Sequence, residues 1–473
     1  MQATKNILLI ICDQLRPDFL EAYGGPAVTP NISRLARQSI VFDRAYSSSP
    51  SCIPARMSLL TGMHSLACPH KIPGKIRTTA EILADKGYDT AALGKMHMSP
   101  VRGPYGFRKL MLSEDTGDGM FLDDYHRELA ENGFSEWDHG LTNYDILETD
   151  GCLPEEKTVT RWNGDQAVNH LRECARNKRQ FFSVVSFVKP HPPYDPIKKW
   201  KQTVEHTEIP KPVGIDRGSA TYPFVVSRYK ESAETGNFTD TTVNNIRTAY
   251  LALIAQIDEQ VGNILDTLES ENLVDNTLVC FTSDHGDSLG DHRLFMKFFS
   301  YEGSARIPLM IRAREIAPSR CHRPVSTLDI PPLFLDYAGL PPVPWHQGRS
   351  LIKIPEDNHR ESILISSQPN FGSSFTLVTE KYKYTFWPNG EKELYDTNMD
   401  PHEKNNIAAN NNITRELHIA LQYELERINK QRLTNVPPFM EQGEILTRKY
   451  EAELFTKVRS RYCHHKKMPY HGY

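Results

Sequence analysis

The sequence predicts an α/β fold: a mostly parallel central sheet between helical layers, followed by a smaller C-terminal α+β subdomain. Three observations predict it. Short apolar runs rich in Ile, Val and Phe alternate with helical patterns from residue 5 to residue 312. Two of those runs end in metal-capable residues, where ligands collect beyond the carboxyl ends of parallel strands. After "LPPVPWHQGRSL" (340–351) the alternation gives way to short strands, one helix and a polar tail.

The elements follow in chain order. "KNILLIIC" (5–12) is continuously apolar, Ile-rich and too short for a buried helix, so it reads as a central parallel strand. "TPNISRLARQ" (29–38) reads as a helix with Thr29 as N-cap and Pro30 in the first helical position. "SPSCIPARMSLLTG" (49–62) reads as a loop through Pro54 and a short helix, Ala55 to Thr61, stopped by Gly62. Further strands are expected at "YDTAALG" (88–94), "FFSVVSF" (181–187), "NTLVCFTS" (276–283) and "IPLMIR" (307–312). Helices 79–87, 162–177 and 241–273 lie between them, and 101–160 and 192–240 read as long loops on top. Beyond them, 361–367, 374–387 and 391–396 suggest antiparallel strands, with a helix over 413–431. The expected division is a main domain over 1–355 and a C-terminal subdomain over 356–473.

A chain of 473 residues exceeds what one hydrophobic core usually serves. Its formal charge of −4 offers no general attraction for nucleic acid or an acidic membrane, so neither is expected as a partner. No apolar run approaches a membrane span, and Met1 to Lys5 lead directly into a strand. A cytoplasmic location is therefore expected, or a periplasmic or secreted one if the chain is a trimmed mature form. The eight cysteines show no CxxC pairing, which fits a reducing compartment. Cys12 and Cys280 fall inside strand patterns and read as packing. The tail "CHHKKMPYHGY" (463–473) concentrates Cys and His, but its spacing matches no zinc pattern.

The chemistry gathers at strand ends. Asp13-Gln14 follow the first strand and Asp284-His285 follow the fourth, "NTLVCFTS". Two carboxylates, an amide oxygen and an imidazole can hold a divalent cation, and mostly oxygen donors favour calcium or magnesium, with manganese admitted by the histidine. Cys52 lies near the positive end of a helix with Arg56 one turn on, and both features stabilise an anion there. Taken alone, a lone cysteine before a helix is more often a small packing residue.

"CIPAR" (52–56) resembles the C-x-P-x-R signature of type I sulfatases of the alkaline phosphatase superfamily, whose cysteine is oxidised to formylglycine. "DQLRPD…YGG…TPNISRLA" (13–36), "LGKMHM" (93–98), "KPHPPYDP" (189–196), "SDHGDSLGDH" (283–292) with "KFFSYEGSARIPLMIR" (297–312), and "ELYDTNMDPHEKNNIA" (393–408) resemble further family segments in order. The family commonly carries Asp-Asp and Asp-Asn at its two metal segments. Asp13-Gln14 and Asp284-His285 instead resemble the branch of choline sulfatases and phosphonate monoester hydrolases.

The resemblance implies an alkaline-phosphatase-like sandwich and one bound divalent cation, calcium first, held by Asp13, Gln14, Asp284, His285 and the modified Cys52. A formylglycine-generating enzyme is the implied maturation partner, and a small anionic ester the substrate. One oxygen of the hydrated aldehyde attacks sulfur and expels the alcohol; the other then expels sulfate. Arg56 holds the diol, Lys95 bridges diol and sulfate, and His97 takes the proton from the second oxygen. His191 matches the general acid and Lys297 a sulfate-binding lysine. Some members of the choline-sulfatase branch complete a neighbouring subunit's site with their tails, so the resemblance also admits a homo-oligomer. The leading expectation is hydrolysis of a sulfate monoester, a sulfated saccharide or another small organic sulfate. Phosphonate monoester or phosphodiester hydrolysis at the same site is the second reading, and a catalytically silent binding protein the third.

Overall fold

Successive side chains of the first apolar run point to opposite faces of a sheet, and both faces are covered. The computed structural model describes residues 5–430, apart from 69–75, 104, 115–122, 143–144, 215–221, 233–237, 353–359, 368–372 and 410–411. The expected boundary at 355 and the tail 463–473 lie outside the described residues.

The strands are β1 (Asn6–Cys12), β2 (Ile40–Phe42), β3 (Ala45–Tyr46), β4 (Asp89–Gly94), β5 (Lys109–Leu112), β6 (Phe181–Phe187), β7 (Thr277–Ser283), β8 (Arg306–Ile307), β9 (Leu309–Arg312), β10 (Ser319–Cys321) and β11 (Val325–Ser326). A separate set follows: β12 (Ile363–Ser367), β13 (Ser374–Val378), β14 (Tyr382–Phe386) and β15 (Lys392–Asp396). The main sheet runs β10-β2-β9-β7-β1-β6-β4-β5. β1 pairs in parallel with β6 and β7, and β4 in parallel with β5 and β6, while β9 runs antiparallel to both its neighbours.

Ile7, Leu9 and Ile11 enter the apolar cluster on one face, with Met57, Leu59 and Leu60 of the helix Cys52–Thr61 and Phe334 of the helix Ile330–Tyr337. Leu8, Ile10 and Cys12 enter the cluster on the other, with the long helix Asp240–Ser270 and the helix Val159–Arg176. That burial on both faces is why β1 reads as an unbroken apolar run. The antiparallel sheet β12–β15 carries the helix Asn412–Lys430, and its Leu364, Tyr384 and Leu394 join the same cluster as Ile7. The C-terminal sheet thus shares its core with the main sheet. It also reaches the loop before Cys52, since Ser366 N–H donates to Ser48 O at 3.0 Å.

Four sequence expectations need correction. The helix expected from Ala55 begins at Cys52, because Pro54 sits in its first turn, where a missing N–H costs nothing. Thr29 does not cap its helix by its side chain; Asp258, on the long helix, accepts from Asn31 N–H at 3.1 Å and Ile32 N–H at 2.7 Å instead. "IPLMIR" splits at Pro308 into β8, in a small three-stranded sheet, and β9. The stretches expected as loops contain β5 at the sheet edge and helices Asp124–Glu131, Lys198–Thr203 and Phe224–Ser232. No helix among the described residues is long and apolar enough to cross a membrane.

Candidate active site

Four neighbouring strands deliver the site. In register, Cys12 of β1 lies beside Ser283 of β7 and Phe187 of β6, and Gly94 of β4 lies beside Ser186 of β6. The next residues along these strands are Asp284-His285, Asp13-Gln14, the Val188–His191 loop and Lys95. The carboxyl ends of adjacent parallel strands therefore converge on one place. Gly94 is required there: at φ +102° a Cβ would meet Ser186 O at 2.0 Å.

Helix Cys52–Thr61 points its first turn at these strand ends, and Cys52 Sγ becomes the centre of the cluster. Lys297 Nζ lies 2.9 Å from it, His285 Nε2 3.3 Å, Asp13 Oδ1 3.9 Å and Lys95 Nζ 4.0 Å. Burial opposes ionisation of this thiol, but Lys297, Lys95 and His285 outweigh it and hold the Cys52 pKa well below its usual value.

Arg56, buried one turn on, spans both acidic residues. Its Nε donates to Asp284 Oδ2 at 2.9 Å and its Nη2 to Asp13 Oδ2 at 3.2 Å. A third arm donates to Ser186 Oγ at 2.9 Å and to the Lys95 carbonyl. Burial would suppress its charge, but Asp284 and Asp13 raise the Arg56 pKa further. Lys95 pairs with the same oxygen, Asp13 Oδ2. Burial alone would raise the Asp13 pKa, yet Lys95 and Arg56 help to hold it below the carboxylate range.

The donor set fits a hard divalent cation. Ligand atoms of Asp13, Cys52, Asp284 and His285 all lie within 4.8 Å of one another, and all four residues are buried. His285 Nδ1 lies 2.9 Å from Gly286 O, so Nδ1 carries a proton, and Nε2 is the nitrogen that faces the cluster and would ligate a cation once it has lost its own. Gln14, at φ +67°, presents its amide oxygen beside them, 2.9 Å from Lys297 Nζ. Oxygen donors with a single imidazole suit calcium, magnesium or manganese.

Lys297 Nζ also lies 2.9 Å from His191 Nε2, and His191 Nδ1 faces Pro192 O at 3.0 Å. Thus Cys52, Arg56, Lys95, His191 and Lys297 gather with Asp13, Gln14, Asp284 and His285. His97 is different. Its strand has ended by then: at φ +54° its N–H donates to both Glu114 carboxylate oxygens, at 3.0 and 2.9 Å. The contacts described for His97 are through its backbone. Sequence reasoning missed Glu114, which also accepts from Met96 N–H at 3.0 Å, and Ser186. Ser186 carried a signal, a hydroxyl inside the apolar run "FFSVVSF"; Glu114 carried none.

Residues 5–340 match the family model described as sulfatase, and residues 290–431 match the model for the C-terminal region of N-sulphoglucosamine sulphohydrolase. The chain is 32% identical to a choline-sulfatase of Rhizobium meliloti, over 86% of this chain and 82% of that protein. It is 31% identical to an arylsulfatase of Clostridium perfringens, over 85% and 90%. Among solved structures, a phosphonate monoester hydrolase from Silicibacter pomeroyi superposes with a TM-score of 0.75 at 21% identity, covering 91% of this chain and 96% of its own. A protein solved with its substrate D-glucosamine-2-N,6-O-disulfate gives 0.71 at 24% identity, covering 91% and 98%. That family works in general with a divalent metal and a formylglycine. Ordered motifs, fold and site agree: the chain belongs to the sulfatase family and is a sulfuric ester hydrolase.

Proposed function

We propose that the protein hydrolyses a sulfate monoester of a small organic alcohol, a sulfated saccharide first, at a formylglycine made from Cys52. The observation that carries this reading is the position of Lys297, whose ammonium touches the Cys52 sulfur, Gln14 and His191 together. A tetrahedral monoanion set at Cys52 meets two buried cations, Lys297 and Lys95, whose ammoniums lie 2.9 and 4.0 Å from the Cys52 sulfur, with Arg56 behind them on Asp13 and Asp284.

Each residue then has one task. Arg56 and Lys95 neutralise Asp13 and fix the nucleophile's orientation. Lys297 holds a sulfate oxygen and offsets the charge that develops on it, acting where water is excluded. His191 Nε2 is the atom from which a proton reaches the departing alcohol oxygen, while the Nδ1 contact to Pro192 O fixes the ring. Oxidised and hydrated, Cys52 supplies an oxygen nucleophile in place of sulfur. Asp13, Gln14, Asp284 and His285 would hold a divalent cation, calcium first, which when bound would supply Lewis-acid charge to the site.

The saccharide preference is supported by the match of residues 290–431 to a sulphohydrolase of N-sulphoglucosamine. Phosphonate monoester hydrolysis is the second reading, because a phosphonate monoester is a monoanion of the same shape and the fold is shared with such hydrolases. The test is a matched panel of glucosamine sulfates, choline sulfate, an aryl sulfate and an aryl phosphonate monoester. Protein matured by a formylglycine-generating enzyme is expected to have its highest kcat/KM on a sulfated sugar. A highest value on the phosphonate moves the assignment to the second reading; one on choline sulfate or the aryl sulfate removes the saccharide preference.

A further inference from the structure

The amide of Gln14 has two partners whose chemistry is unambiguous. Lys297 Nζ, an ammonium with donors only, lies 2.9 Å from Oε1. Asp287 Oδ2 lies 2.5 Å from Nε2 and, as a carboxylate, accepts only. The orientation of the amide is thereby set by its neighbours: nitrogen towards Asp287, oxygen towards the site. Met296 Sδ, 3.7 Å from the same nitrogen, is a weak acceptor that adds little.

Asp287 is fully buried and gathers more than Gln14. Its Oδ2 also accepts from the Tyr194 hydroxyl at 2.6 Å, and its Oδ1 accepts from Leu289 N–H at 2.9 Å. Tyr194 belongs to the proline-rich loop that carries His191, and Leu289 to the segment leading to Lys297. One carboxylate thus ties together the three stretches of chain that bring Gln14, His191 and Lys297 to Cys52. That segment needs the restraint: Leu289, His292, Arg293, Met296 and Phe298 all adopt positive φ without being glycine.

We infer that Asp287 is a positioning residue, whose carboxylate locks the Gln14 amide with its oxygen facing the cation site and Lys297. This rests on the reading of Gln14 as a metal ligand. The consequence is specific to hydrogen-bond polarity. In Asp287→Asn, an amide nitrogen replaces one acceptor oxygen. If it faces Gln14, that side chain must turn over and point its own N–H groups at the cation site. If it faces Leu289, two buried N–H groups collide instead. Neither arrangement keeps all partners satisfied.

The polarity can be restored by moving the charge. In the double variant Gln14→Glu with Asp287→Asn, the amide introduced at position 287 donates to the carboxylate introduced at position 14. That carboxylate still keeps its other oxygen towards the site. Net charge at the pair is unchanged, and only the direction of the hydrogen bond is reversed.

The experiment is calcium titration by calorimetry of the full chain after chelator stripping, with the unfolding midpoint of the metal-free protein measured alongside. D287N is expected to weaken calcium about 10–100-fold, the usual cost of losing a ligand's orienting partner, while the metal-free midpoint moves little. Adding Q14E is expected to recover most of that loss. An unchanged calcium affinity in D287N overturns the inference, and so does a double variant that binds no better than D287N. If D287N does not fold, the double variant carries the test: it must fold and bind calcium within about tenfold of the parent, and failure of either overturns the inference. Wild-type protein that binds no calcium, magnesium or manganese defeats the metal reading of Gln14 itself, a separate outcome.

Discussion

The Lys297 ammonium stands 2.9 Å from the sulfur of Cys52, inside the protein and between the two residues assigned to the metal and to the leaving group, Gln14 and His191. Lys297→Met is therefore expected to lower kcat about 10²–10³-fold, the cost of removing one preorganised donor from a developing anion. Steady-state kinetics on the best sulfate ester checks it. A second readout uses protein in which Cys52 is left unmodified and metal is stripped. Its thiol, held low by Lys297, Lys95 and His285 against burial, is expected to titrate at higher pH in the variant, followed by thiolate absorbance against a Cys52→Ala blank.

Arg56 is the shared counter-charge of Asp13 and Asp284, and all three are buried. Arg56→Ala takes the guanidinium from two buried carboxylates, leaving Asp284 without its closest cation and Asp13 with Lys95. The metal-free variant is expected to lose about 3–5 kcal/mol of stability, read by urea unfolding. Saturating calcium should narrow that gap, because the cation replaces part of the missing charge. A gap that widens on adding calcium contradicts the shared role of the two acids.

How much of this was legible depended on how far each partner lies along the chain. Asp13 and Asp284 could be read because each ends an apolar run, and parallel pairing of β1 and β7 then sets them side by side. Cys52, Arg56 and the proline-rich His191 loop were legible as motifs. The cap on the helix Pro30–Arg37 was not, since Asp258 comes from a helix 226 residues away. Glu114 was hidden for the same reason: a carboxylate in a polar stretch looks solvated until the fold shows which N–H groups it accepts. The start at Cys52 was missed because a proline was read as a break, although the first helical turn tolerates one.

Lys383 of β14 is buried between Glu302 Oε1 at 3.0 Å and Glu403 Oε1 at 2.9 Å, and Tyr46 OH donates to Glu302 at 3.1 Å. These bonds fasten the C-terminal sheet to the helix Glu302–Ala305, just beyond Lys297. Lys383→Met is expected to destabilise by about 3–5 kcal/mol, because it removes the cation between two buried carboxylates and leaves Glu302 only the longer Arg306 contact at 3.5 Å. Replacing Glu302 and Glu403 by Gln as well should recover part of that loss in the same unfolding assay.

His126 places a carboxylate on each ring nitrogen, Asp123 at 2.7 Å from Nδ1 and Glu136 at 2.8 Å from Nε2. Burial works against its charge, but Asp123 and Glu136 prevail and raise its pKa to about 10. The folded pKa lies above the unfolded one, so the stabilisation is complete below the unfolded value of about 6.5 and fades as pH rises towards 10. The difference in urea midpoint between wild type and His126→Gln should be largest near pH ~6.5 and shrink as pH rises towards 10; below about 6 Asp123, its pKa raised by burial, gives up the charge that His126 pairs with. A difference that grows with pH contradicts the assignment.

The central claim is that Cys52 is the precursor of the nucleophile. Its most direct test is the mass of the tryptic peptide Ala45–Arg56, from protein made with a formylglycine-generating enzyme, measured together with sulfate release. The account predicts that the thiol mass is replaced by that of the aldehyde or its hydrate, and that sulfate is released in proportion to the converted fraction. Free thiol in protein that releases sulfate at full rate would contradict it.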